Sequence, residues 1–193
     1  AIGKLDNRDL KELDGLYQSA IKQLGKNRLT ISLINNYANF KAFYLSDLDG
    51  AKNLLEEAMI IPQISKRDLA ECKLVYADIM LLTGQIWTSL LYYSQVEKDH
   101  KENPIGDEAK LRRSKISYYQ GDFQWAQSQL DVLKASTSKL IANDAMNLSL
   151  LITDNYNLDT SDIPMQVFAE ADLLSYQQRY NQALEKYDSV LLI

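Results

Sequence analysis

Apolar residues return every three or four positions along almost the whole chain, a spacing that predicts helices. Leu10, Leu13, Leu16, Tyr17, Ala20, Ile21 and Leu24 form the first stripe. Asp6 with Asp9 offers its cap, and Gly25 is a plausible stop. A second helix is expected from about Thr30 to Tyr44. A third starts near Asp47 or Leu48, carries Ala51, Leu54, Leu55, Ala58 and Met59, and is closed by Pro62. Ser65 and Asp68 make a capping-box pattern before Leu69, Cys72, Tyr76, Ala77, Met80 and Leu81, a helix that ends before Gly84. Ile86, Leu90, Tyr93 and Val96 follow, and the charged stretch from Glu97 to Gly106, with Pro104, reads as a loop.

Asp107 can cap the next helix, which runs through Ala109, Leu111, Ile116 and Tyr118 to Gly121. Asp122 can cap its successor, with Phe123, Ala126, Leu130 and Leu133 on one stripe and Gln127 off it. Another helix is expected at 138–153, then a polar linker at 154–161. Pro164 suits the first turn of a helix carrying Phe168, Ala171 and Leu174. The last has Tyr180, Ala183, Leu184, Tyr187 and Leu191. No window alternates long enough to demand a strand, so the chain reads as all-α, with about ten helices.

Self-comparison adds a repeat. Four hinges align: Ser46-Asp47-Leu48, Gly84-Gln85-Ile86, Gly121-Asp122-Phe123 and Gln178-Arg179-Tyr180. A small residue follows each, at Ala51, Ser89, Ala126 and Ala183, and four residues on comes Leu55, Tyr93, Leu130 or Tyr187. A short side chain also precedes each hinge, at Asn39, Ala77, Ser114 and Ala171. The steps between the small residues are 38, 37 and 57 residues. Antiparallel helices pack closely only where a short side chain faces the partner, and no pair buries its stripe alone, so pairs must stack.

On these residues the chain resembles the tetratricopeptide repeat (TPR) family, whose units are helix pairs. Gly121, Asp122, Phe123, Ala126 and Leu130 look like that family's turn and second helix. Ala51, Leu55 and Ala58, and Tyr180, Ala183 and Tyr187, are similar. The resemblance covers most of 30–134 and 164–193. It departs from the family where an early aromatic of the first helix is replaced by Asn35, Lys73, Lys110 and Val167. It departs again at Val96, Leu133 and Val190, in place of a small residue in the second helix's last turn. The third and fourth repeats also resemble long repeat proteins of Bacteroidetes. The resemblance implies a right-handed α-α superhelix, a TPR-like solenoid of antiparallel helices forming one domain over 1–193. The 57-residue step must hold an unpaired or distorted helix at 138–153.

Composition removes several alternatives. One cysteine, Cys72, and one histidine, His100, are too few for a thiolate–imidazole zinc site or an internal disulfide framework. A formal charge of -5 argues against a broad nucleic-acid surface. No apolar run approaches a membrane span. The chain lacks an initiator Met and ends on Leu191, Leu192 and Ile193 inside an apolar pattern, as expected of a piece of a longer protein; a short chain with a docked last helix is the alternative. Cytoplasm and bacterial cell envelope or periplasm both stay open.

No set of residues converges for chemistry. His100 sits among consecutive charges in the expected loop, Cys72 falls on an apolar stripe, and the glycines are isolated turn residues. Glu170 with Asp172, and Asp159 with Asp162, are explained by a solvated face and a helix start. No catalytic residue, metal or cofactor is expected. The family resemblance implies a partner-binding groove on the first helices. Register puts Asn36, Phe40, Phe43 and Tyr44 there from the first repeat, and Leu74, Asp78, Leu81 and Leu82 from the second. The third adds Leu111, Lys115, Tyr118 and Tyr119, and the fourth Phe168, Asp172, Ser175 and Tyr176. Packing between helices is the competing reading of the same residues. The expected function is a non-catalytic scaffold for a protein or peptide partner, with self-association as another use of the face. A structural or regulatory arm of a larger multidomain protein is the alternative.

Overall fold

The computed structural model describes residues 6–156 and 162–192. Among them are ten helices and no strand: α1 (Asn7–Leu24), α2 (Ile31–Tyr44), α3 (Leu48–Met59), α4 (Lys66–Leu82), α5 (Ile86–Asp99), α6 (Pro104–Tyr119), α7 (Phe123–Leu133), α8 (Lys139–Tyr156), α9 (Ile163–Tyr176) and α10 (Tyr180–Val190). The chain divides into two compact units, Ala1–Ile79 and Met80–Ile193, the division falling inside α4.

The helix starts follow local chemistry. Asp6 and Asp9 form the expected capping box on α1, and the Ser65 hydroxyl accepts the Asp68 N–H at 3.0 Å. Asp122 stands at the N-cap of α7 but makes no side-chain bond there. The loop expected from Glu97 to Gly106 is mostly helix: α5 runs on to Asp99 and α6 begins at Pro104. Asn103, not Asp107, is the cap, accepting the Ile105 N–H at 3.2 Å. Proline and glycine suggested a break, yet proline is well suited to a helix's first position, where its missing N–H has no partner to lose. Gly106 is required here, because any side chain would collide with the His100 carbonyl. The helix expected at 138–153 extends to Tyr156, and 157–161 of the expected linker lie outside the described residues.

The repeat is visible in backbone geometry. Ser46, Gly84, Gly121 and Gln178, the first residues of the four hinges, all have positive φ, from 56° to 80°. At three of them the hydrogen bonding is the same. Gln85 N–H donates to Met80 O, Asp122 N–H to Ser117 O and Arg179 N–H to Leu174 O, each reaching back five residues. This is the Schellman ending, in which a left-handed residue turns the chain and satisfies the last carbonyls. The small residues after the hinges, Ala51, Ser89, Ala126 and Ala183, are all buried, as are Ala77, Ser114 and Ala171 before them.

In the first unit α2 and α3 form the main antiparallel pair, with α1 against α2. Tyr17 of α1 stacks on Tyr37 at 4.9 Å and on Phe40 at 5.7 Å. In the second unit α6 packs between α5 and α7, and α8 packs along α7. A core of Leu111, Tyr118, Phe123, Leu130 and Ile152 joins α6, α7 and α8, and Met165 and Ala169 bring in α9. Gln127, expected off the stripe, instead donates from Nε2 to Ser149 Oγ at 2.6 Å and so ties α7 to α8.

Ala126 is fully buried and Gln124, two residues away, is exposed. Ala126→Trp should lose ~1–3 kcal/mol of stability or fail to fold, because the crossing has no spare volume. Gln124→Trp should stay within ~0.5 kcal/mol of wild type. Urea melts followed by helical circular dichroism compare the two, and equal midpoints would refute the packing register.

Candidate functional site

The groove residues of the second unit converge, but on one another. Asp172, on α9, sits between two tyrosines. Tyr118 Oη of α6 donates to its Oδ2 at 2.6 Å, and Tyr187 Oη of α10 donates to its Oδ1. Tyr118 also contacts Tyr119 and Phe123, with ring centroids 5.5 and 6.0 Å apart. Tyr119 faces Tyr176 at 6.4 Å, and Phe168 faces Tyr187 at 5.3 Å. A carboxylate among aromatic rings is tolerable only when its oxygens receive donors, and the two phenols supply them.

The path of α9 explains the convergence. Near its start Gln166 lies against the α6–α7 turn, where a Cβ on Gly121 would be 3.4 Å from Gln166 Cγ. Just past its end, Gln177 Nε2 donates to Leu81 O at 3.1 Å, beside the α4–α5 turn. So α9 runs from one turn to the other, crossing the C-terminal ends of the first helices α6 and α4. Its main neighbour is α10, with lesser contact to α6 and α8.

This corrects the groove at five positions. Phe40, Leu74, Leu81, Leu111 and Tyr118 are buried, Tyr118 to 1% exposure, so none is presented to a partner. Their large apolar bodies were placed on an open face, and the fold uses them as core. Tyr119, Asp172 and Tyr176 are partly buried in the cluster just described. Asn36 is exposed, and Tyr44 is exposed while stacking on Phe40 at 5.7 Å. Asp78 and Lys115 are partly buried. Tyr187 and Gln177 were not foreseen as partners here. The available signal was the carboxylate at Asp172 directly after the buried Ala171, a charge that must find donors.

In the first unit a second polar cluster fixes the turn from α2 to α3. Tyr37 Oη donates to Asp14 Oδ1 at 2.7 Å, Lys41 lies 5.2 Å from the Tyr37 ring centre, and Lys41 pairs with Asp47. Asp47 in turn accepts the Gly50 N–H at 2.9 Å and caps α3. The Lys41 bond and the Gly50 bond hold the Asp47 carboxyl below its ordinary range. Burial acts to lower the Lys41 value, but its bond to Asp47 and the nearby charges outweigh it and the net direction is upward.

Among the described residues no group of three His, Cys, Asp or Glu could hold a metal, and no helix is long and apolar enough to cross a membrane. Burial raises the Cys72 thiol to about 12, far from a reactive thiolate. His100 ends α5, and its carbonyl accepts the Asn103 N–H at 3.2 Å. Glu170 pairs with Lys186 at 2.5 Å. Asp162 makes no side-chain cap bond at the start of α9, and Asp159 lies outside the described residues. No family model, curated protein or solved structure matches the chain.

The tyrosine cluster has a pH signature. Burial, with Asp172 as acceptor, pushes the Tyr118 and Tyr187 hydroxyls well above the ordinary tyrosine value of 10.0. Burial, reinforced by the Asp172 charge, raises Tyr119 to about 12. The folded state therefore keeps these protons longer than the unfolded chain. Their contribution is fully present below pH 10 and is lost as pH rises through the folded values. Urea midpoints should fall between about pH 10 and about pH 12. Tyr118→Phe with Tyr187→Phe should flatten that fall, and an unchanged slope would refute the assignment.

Proposed function

We propose that the chain is a non-catalytic interaction scaffold built as a TPR-like right-handed solenoid. One observation carries this reading: large apolar side chains stand uncovered on the outward faces of second helices. Trp87 is 77% exposed and Leu91 55% on α5, and Trp125 is 55% and Val132 60% exposed on α7. Exposed apolar patches of this kind commonly mark interaction surfaces. The polar clusters support the same reading, because Asp172, Asp47 and Glu97 are committed to joining helices. The partner-facing surface then lies on the second helices of the second unit. On the first-helix side of that unit, α9 takes the place a peptide would occupy.

That internal occupancy favours a second reading, in which the chain is a structural or regulatory arm of a larger protein with no ligand of its own. The immobilised chain should retain a stoichiometric protein partner from an extract of the source organism, identified by quantitative mass spectrometry. Retention of none supports the arm reading. Solution scattering tests the architecture, since a stacked array should have a radius of gyration above the ~16 Å of a globular chain of this length. A value at or below that refutes the solenoid.

A further inference from the structure

The uncovered residues of α5 and α7 form two stripes. On α5, Trp87 and Leu91 lie one turn apart, and Ser94 and Lys98 continue the same face. On α7, Trp125 and Val132 lie two turns apart. Short turns join α5 to α6 and α6 to α7, so α5 and α7 run the same way and both tryptophans fall at the same end. At the other end is a cleft of ≈ 430 Å³ whose walls include Ser94 and Lys98 of α5, Lys110 and Arg113 of α6, and Val132 of α7. Trp87 and Lys98 are eleven residues apart on one helix, a rise of roughly 16 Å.

The charge of the cleft opposes that of the chain. Its walls hold Lys98, Lys101, Lys110 and Arg113 against Glu97, Glu102 and Asp107, an excess of one positive charge, whereas the whole chain carries -5. Two of the three carboxylates are committed. Glu97 accepts from Arg113 and lies 3.7 Å from Lys110, and Asp107 accepts from the Ser136 hydroxyl at 2.5 Å. Among the described residues Lys98 and Lys101 have no ion-pair partner, and the buried Nε of Arg113 has no acceptor. Donors are therefore in surplus at one end of the groove and aromatic surface at the other. One excess charge is too little for a nucleic-acid backbone. A wholly apolar partner would leave the lysines unanswered.

We propose that the α5–α7 face is a docking groove for a peptide segment of a partner protein. The segment carries a large apolar side chain and, roughly 16 Å away, two or more carboxylates. This rests on the scaffold reading and names the chemistry of its partner. The tryptophans supply anchoring area, and the lysines fix the direction of the bound segment.

A random dodecapeptide phage library selected on the full chain tests it, with binders then measured by calorimetry. The selected peptides should combine paired Asp or Glu with Trp, Phe or Leu. Their dissociation constants should weaken at least about tenfold for Trp87→Ala with Trp125→Ala, and likewise for Lys98→Glu with Lys101→Glu. They should also weaken between about 0.05 M and about 0.5 M salt. Circular dichroism checks that both variants fold; Lys98→Gln with Lys101→Gln replaces any charge reversal that does not. Failure to select a binder, binders lacking carboxylates, or binders indifferent to both folded variants would overturn the groove. So would self-association abolished by the tryptophan variant, or binding by the wild type to phosphatidylglycerol vesicles but to no peptide. A natural partner retained equally by both variants sinks the groove and leaves the scaffold standing.

Discussion

Two helices approach closely only where one of them has almost no side chain, and this fold repeats that condition at each hinge. Ala77 and Ser89 flank the α4–α5 turn, Ser114 and Ala126 the α6–α7 turn, and Ala171 and Ala183 the α9–α10 turn, all buried. The residue that reverses the chain between them is left-handed in every case, and two of the three are glycine. Gln178 takes the same conformation at an energetic cost of roughly 1–2 kcal/mol for a residue with a Cβ. Close crossings behind the turn offset that cost, since they bury both apolar stripes of the pair. Ser114 meets the same requirement with a hydroxyl, which it satisfies by donating to Lys110 O at 2.9 Å.

The Asp172 cluster follows from what the helix pairs leave over. The end of α6 presents tyrosines and that of α4 presents Leu81 O, which takes the Gly84 N–H at 3.0 Å and has a second lone pair to offer, and α9 arrives carrying the complementary groups. Its carboxylate receives the Tyr118 hydroxyl, and the Gln177 amide just beyond it reaches Leu81 O. Such contacts are directional, so they fix how α9 crosses, which apolar packing alone would leave loosely specified. Removing Asp172 would strand a buried phenol, whereas removing Tyr187 would leave Asp172 one donor from Tyr118.

Local signals were legible in the sequence and nonlocal ones were not. Helices, hinges and small crossing residues depend on neighbours within a few positions. Ala51, Ser89, Ala126 and Ala183 were therefore placed correctly from spacing. The α6 start was misplaced because Pro104 and Gly106 resemble a loop, when proline at a first position and glycine against the His100 carbonyl both belong to a helix start. The buried members of the candidate site were misplaced for a different reason. Register assigns Tyr118 and Asp172 to one face, but it carries no information on whether that face is open. The 57-residue step hinted at a change of course, without fixing its direction. Periodicity also says nothing of Gln127, whose polar side chain reads as solvent-facing until α8 arrives beside it.

Both tryptophans of the chain are at the surface, while Tyr37, Tyr93 and Tyr118 are packed inside. The two chromophores therefore report on different things. Native tryptophan emission should already resemble that of a hydrated indole, so unfolding will shift it little. Tyrosine absorbance and near-ultraviolet dichroism, by contrast, follow the packed interior. A denaturation curve drawn from tryptophan emission alone would register an almost silent transition in a cooperatively folded protein. The same emission becomes informative only when something dry settles against α5 or α7.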